Sequence, residues 1–174
     1  MTTDELKAMV RDVPDFPTEG IVFKDLMPLI GHAEAFRSTI EHLADWSRPR
    51  DPDVILGAEA RGFIFGGALA YELGCGFVPA RKPGKLPWTK VRATYDLEYG
   101  SDSLEVHSDA LEPGARVIVL DDVLATGGTA RAKVELVERL GGDVVGLAFM
   151  LELDFLHGRE RLAGRTLVSL LRYQ

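Results

Sequence analysis

Val117-Ile118-Val119-Leu120-Asp121-Asp122-Val123-Leu124-Ala125-Thr126-Gly127-Gly128-Thr129-Ala130 is the stretch from which the rest of the chain is read. Its first four residues are apolar and mostly β-branched, as in a strand buried on both faces of a parallel sheet. Two carboxylates follow, Asp121 and Asp122. Residues 125–129 form a loop of small residues, and from Ala130 the apolar positions Val134, Val137 and Leu140 recur at helical spacing. The predicted order is strand, acidic pair, glycine-threonine loop, helix.

That order suits an anion. Glycines let successive backbone N–H groups converge, a helix N-terminus adds partial positive charge, and the hydroxyls of Thr126 and Thr129 add donors. A monophosphate fits such a loop, and the acidic pair one step upstream could hold the hydroxyls of an attached sugar. Ribose 5-phosphate is the simplest ligand of this shape. No lysine follows the second glycine, so the loop is not the triphosphate-binding G-x-x-x-x-G-K-[ST], and G-x-G-x-x-G is absent from the sequence.

A second strand-loop-helix repeats the pattern. Val54-Ile55-Leu56 reads as a buried strand, residues 57–62 (Gly-Ala-Glu-Ala-Arg-Gly) as a loop, and residues 63–73 as a helix stopped by Gly74. Phe63 and Ile64 stand where a nucleotide-binding loop would carry lysine and serine or threonine, so that reading fails too. Residues 33–46 place Phe36, Ile40 and Leu43 on one helical face. Thr2 with Glu5 forms a capping box for a first short helix. Residues 15–25 read as a surface loop with a buried aromatic. Residues 77–80 form a third strand, residues 104–107 an exposed hairpin strand, residues 144–151 a fourth core strand, and residues 166–171 the last strand.

Bulk properties narrow the class. A chain of 174 residues is one ordinary domain, expected over 1–174. Apolar residues make up 46% and charged residues 27%, a globular balance. The formal charge of −7 argues against binding nucleic acid or anionic lipid nonspecifically. No apolar run approaches the ~20 residues of a membrane helix, and the acidic, polar N-terminus does not read as a signal sequence, so a cytoplasmic location is expected. Cys75, the single cysteine, fits a reducing compartment. His32, His42, His107 and His157 are too scattered for a zinc motif. Five cations and no acids lie between Arg81 and Arg92, which in an acidic chain suggests a local site for a multiply charged anion.

The residues 121–129 resemble the phosphoribosyl-diphosphate (PRPP) signature of the type I phosphoribosyltransferases, most closely the adenine phosphoribosyltransferases. Residues 16–25, Phe-Pro-Thr-Glu-Gly-Ile-Val-Phe-Lys-Asp, are similar to that family's purine-binding signature, with lysine at position 24 where many members have arginine. The resemblance implies the following. Asp121, Asp122, Ala125, Thr126, Gly127, Gly128 and Thr129 bind the ribose and 5-phosphate of PRPP. Glu59, Ala60, Arg61, Arg81, Lys82 and Lys85 face the diphosphate, with a cis peptide at Glu59-Ala60. Val22, Phe23, Lys24 and Leu153 contact adenine. Residues 97–100, Leu-Glu-Tyr-Gly, end a long catalytic loop, and Glu98 manages the purine proton, completing a catalytic set with Asp121, Asp122 and Arg61.

The same resemblance implies Mg²⁺ carried mainly by PRPP, with Asp121 and Asp122 as further contacts, and a homodimer. The fold expected is α/β: a doubly wound, mostly parallel sheet flanked by helices, with a small hood from about 13–30 and about 152–174. The activity expected is transfer of the phosphoribosyl group to adenine, giving AMP and pyrophosphate. A transferase for another purine base, or a PRPP- or purine-sensing regulator on the same fold, would share these features.

Overall fold

A computed structural model describes residues 1–96 and 101–174. Five parallel strands form the central sheet: β3 (Val54–Ala58), β4 (Gly76–Ala80), β7 (Arg116–Leu124), β8 (Asp143–Leu153) and β9 (Leu167–Tyr173). They lie side by side in the order β4-β3-β7-β8-β9. Counted in chain order that is second, first, third, fourth, fifth, so the winding reverses between β3 and β7. Ligands of open α/β sheets bind outside the strand carboxyl ends at such a reversal.

Alternation along β7 explains why its sequence is apolar throughout. Val117 and Val119 face α5 (Gly128–Arg139), while Ile118 and Leu120 face the layer containing α3 (Ala33–Ser47) and α4 (Arg61–Leu73). All four are fully buried. On the α4 side Phe65, Leu69, Leu43 and Ile55 complete the layer, each fully buried side chain of this size contributing roughly 1.5–3 kcal/mol. The short helices α1 (Thr3–Ala8) and α2 (Met27–Gly31) join this layer through Leu6 and Leu29, and Thr2 and Glu5 form the expected capping box.

Several expectations are corrected. The acidic pair does not follow the central strand: β7 runs on through Asp121 and Asp122 to Leu124, because its ladder with β8 continues to Leu124↔Glu152. Both helices after the loops start two residues early, α5 at Gly128 and α4 at Arg61. Residues 11–25 are a hairpin of β1 (Arg11–Pro14) and β2 (Val22–Asp25), and neither of its aromatics is fully buried: Phe16 is 50% exposed and Phe23 half-buried. The segment after Arg81 is not wholly irregular. Residues 90–96 form β5 (Lys90–Asp96), antiparallel to β6 (Ser101–His107). That ribbon is not exposed either: it packs over α5, burying Leu104, Glu105 and Val106. Of residues 152–174, assigned to a hood, Leu167–Tyr173 is instead the edge strand of the central sheet.

Candidate active site

The crevice between the carboxyl ends of β3 and β7 is flanked by two loops. After β3 the chain turns through Glu59 and Ala60, joined by a cis peptide bond, into α4. Gly57 lets this turn close, since a Cβ there would lie 2.8 Å from the Gly62 carbonyl oxygen. After β7 the chain turns through Ala125, Thr126 and Gly127, which sits at φ +83°. A Cβ on Gly127 would run into the Gly158 carbonyl, and one on Gly158 into the Ala125 carbonyl, so the loop is backed closely by the segment Gly158–Leu162.

Neither helix carries a side-chain cap among the described residues. The first-turn N–H groups of α5 therefore point outward without an internal acceptor. They border a small cavity of about 50 Å³ enclosed by residues 123–130. Uncapped N–H groups at a glycine-bearing helix start make an anion cradle that needs no cationic side chain.

The acidic pair is split by the strand's alternation. Asp121 accepts hydrogen bonds on both oxygens, from the Asp122 N–H at 3.0 Å on Oδ1 and from Lys133 Nζ at 2.5 Å on Oδ2. Asp122 points the other way, and its buried Oδ2 is paired with the Arg61 guanidinium. Burial first, and then the Asp121 charge, push the Asp122 carboxyl up to about 6, with Arg61 opposing. Both carboxylates are largely covered, where the loop pattern alone suggests an open site.

At the β3 side, Glu59 organises the cations. Its Oε1 accepts the Lys82 N–H at 2.5 Å, and Arg81 donates to Oε2 at 3.2 Å. Burial raises the Glu59 carboxyl, but those two donors outweigh it and hold it below its ordinary range. The cationic stretch is accordingly less free than its sequence suggests. Lys82 is paired with Asp102, and Arg92 donates twice to Glu105, which is 1% exposed. Lys85 contributes its carbonyl to Arg81 at 3.4 Å.

The β1–β2 hairpin supplies an apolar wall. Phe23 meets Phe16 edge-on at 5.2 Å, and the Arg61 guanidinium lies 5.2 Å from the Phe23 ring centre. Val13, Phe16, Phe23 and Asp25 line a shallow hollow of about 270 Å³. Lys24 faces the other side of the strand, bonded to Asp12 at 2.7 Å and 4.5 Å from the centre of the Tyr173 ring. Leu153 ends β8 opposite Tyr173. Val22 is 49% exposed at the start of β2. Glu98 lies outside the described residues.

Residues 30–165 match the phosphoribosyl transferase domain family. The adenine phosphoribosyltransferase of Acidobacterium capsulatum is 56% identical over 170 residues, covering 98% of this chain and 94% of that protein. The chain belongs to the adenine phosphoribosyltransferase family. A crystal structure of the family's member from Thermoanaerobacter pseudethanolicus has a TM-score of 0.96 at 52% identity, covering 99% of this chain and all of that one (100%). The member from Saccharomyces cerevisiae, crystallised with an imino-altritol bisphosphate and adenine, has a TM-score of 0.91 at 43% identity, covering 97% and 98%. With the family shown, the five-stranded parallel sheet is its type I fold.

Two features of the site escape a reading by motif. Lys133 was signalled only by its spacing: it lies three residues after Ala130 and four before Val137, on the inward stripe of α5, where a charge is out of place. Glu152, 2% exposed, receives Arg159 on both oxygens at 2.9 and 2.6 Å and so fixes the segment behind Gly127. Nothing in the local sequence pairs those two residues.

Proposed function

We infer that the chain transfers the phosphoribosyl group of PRPP to N9 of adenine, releasing AMP and pyrophosphate, and that the crevice between β3 and β7 is where it does so. The observation that carries this reading is that two uncapped strand-to-helix loops flank the one reversal of the sheet. A sugar phosphorylated at both ends can bridge them. Thr126, Gly127, Gly128 and Thr129, with Ala125, take the 5-phosphate; Asp121 and Asp122 take the ribose hydroxyls. The Glu59 and Ala60 backbone, with Arg61, Arg81, Lys82 and Lys85, takes the diphosphate. Phe23 stacks on adenine, Leu153 covers its other face, and Val22 offers backbone groups to its edge. Lys24, committed to Asp12 and Tyr173, fixes the hairpin rather than reading the base.

In the transition state the ribose ring gains positive charge and the diphosphate negative charge. Asp122 stands beside the first, and the Arg61 guanidinium and the loop amides beside the second. Without substrate Arg61 rests against Asp122. Diphosphate would draw the guanidinium away and leave the carboxylate to the ribose. Glu98 handles the purine proton. Among the described residues no three carboxylate, imidazole or thiol groups converge as a metal cage. Once diphosphate has drawn Arg61 off it, the Oδ2 of Asp122 would fit a cation most of whose ligands come from PRPP. Mg²⁺ bound that way would neutralise the leaving diphosphate.

Ile64 and Tyr71, seven residues apart on α4, are 38% and 90% exposed. That apolar face supports a homodimer. No described helix is long and apolar enough to cross a membrane, and one unpaired cysteine supports a cytoplasmic, reducing setting. The test is a coupled assay with PRPP and Mg²⁺ across adenine, guanine, hypoxanthine, xanthine and orotate. AMP and pyrophosphate in equal amounts from adenine, well above the other bases, is the expected result. Turnover of another base instead would move the substrate, and binding of PRPP without any turnover would make the chain a sensor.

A further inference from the structure

Lys133 is the most completely buried charge in the described chain, with no exposed surface, and the reading above gives it nothing to do. Its ammonium donates to the Leu120 carbonyl at 3.1 Å and to Asp121 Oδ2 at 2.5 Å. The first contact is to the backbone of β7 just before the acidic pair; the second is to the carboxylate itself. The stem of the side chain comes from α5, the helix whose first turn borders the phosphate cavity. One residue therefore ties the ribose end of the crevice to its phosphate end.

Packing alone would not select this residue. Its neighbours on the inward side of α5, Ala130, Val134 and Val137, are apolar, and an unbranched apolar side chain would fill the same space without the desolvation of two charges. What the ammonium adds is direction. With Oδ1 occupied by the Asp122 N–H and Oδ2 by Lys133, the Asp121 carboxylate has no rotational freedom. The distance from it to the first-turn amides of α5 is set by one covalent helix.

We propose that Lys133 is a positioning residue of the transfer reaction: it fixes the Asp121 carboxylate to the phosphate-binding helix, so that ribose and 5-phosphate are held at one set spacing. This rests on the reading that the acidic pair holds the ribose hydroxyls. Displacement of a reacting group by about 1 Å can cost on the order of 10²-fold in rate, which sets the scale expected when the tie is cut.

A double-mutant cycle tests it, with Lys133→Met, Asp121→Asn and the pair combined, each measured for kcat/KM with PRPP, KM for adenine and Tm. Lys133→Met is expected to lose about 10²-fold in kcat/KM for PRPP, with the KM for adenine within about threefold. Asp121→Asn is expected to lose a similar factor. The combination should be no worse than the worse single variant, because the lysine acts through the carboxylate. A lowered Tm with unchanged kcat/KM for PRPP in Lys133→Met would make the lysine merely structural and overturn the proposal. So would losses that multiply in the double variant. If Asp121→Asn itself keeps wild-type kinetics, it is the ribose reading that fails. Lys133→Ala, which removes the donor and leaves room for water at the carboxylate, serves if the methionine variant does not fold; wild-type kinetics with PRPP in it would equally overturn the proposal.

Discussion

The two loops of the crevice have the same strand-loop-helix plan and opposite chemistry. After β7, residues 125–129 present backbone: small side chains, a glycine at positive φ, an uncapped helix and no cation. After β3, the working groups are side chains, Arg61 against Asp122 and Glu59 holding Arg81 and the Lys82 N–H. The difference suits the two ends of PRPP. A 5-phosphate that stays bound throughout needs a fixed cradle, which a helix start supplies without reorganisation. A diphosphate that must leave is better met by long cationic side chains that can exchange partners.

Breaking the backbone cradle should have the largest effect. Gly127→Ala places a Cβ where φ is +83° and against the Gly158 carbonyl. It is expected to lose about 10³-fold in kcat/KM for PRPP, at the upper end for removing preorganised donors. Arg61→Gln, at the other loop, should lose roughly 10²-fold, with the loss in inhibition by pyrophosphate exceeding that in inhibition by ribose 5-phosphate. Thr126→Ala, which removes a hydroxyl and leaves the amides, should lose roughly tenfold, a hydrogen bond to a charged phosphate being worth about 1.5 kcal/mol at the low end. A Thr126 effect as large as that of Gly127 would erase the contrast.

The acidic pair sharpens the comparison through stability. The folded-state pKa of Asp122, about 6, is raised above its ordinary value of 3.8. The folded state therefore binds that proton more tightly than the unfolded one. Its stabilising contribution is complete below the unfolded pKa and is lost as pH rises through about 6. Asp122→Asn removes a buried charge that is unfavourable at neutral pH. Its Tm should exceed that of the wild type at pH 7.5, with the gain shrinking toward pH 4, while transferase activity collapses. Calorimetric scans at the two pH values check this; a lowered Tm at pH 7.5 would contradict it.

Much of this was legible beforehand, for a physical reason. Buried parallel strands must be apolar on both faces, so β3, β7 and β8 stand out locally, and the glycines and threonines of the phosphate loop lie consecutively. What stayed hidden depends on partners distant in the chain. β1 is Arg-Asp-Val-Pro, a strand only because β2 pairs with it. In β5, Val91, Ala93 and Tyr95 alternate inward, but the proline- and glycine-rich run before them obscures the pattern. The covering of Asp121 by Lys133, twelve residues on, and of Glu105 by Arg92 and the Gly84 N–H, could not be read from composition. The same holds for the backing of Gly127 by Gly158.

The division of labour between the loops can be observed without chemistry, by following backbone amide resonances while ribose 5-phosphate and pyrophosphate are added separately. Ribose 5-phosphate should move the amides of Gly127, Gly128 and Thr129, and pyrophosphate those of Ala60 and Arg61. If both ligands moved the same amides, or ribose 5-phosphate left Gly127 and Gly128 untouched, the two loops would not hold opposite ends of one substrate.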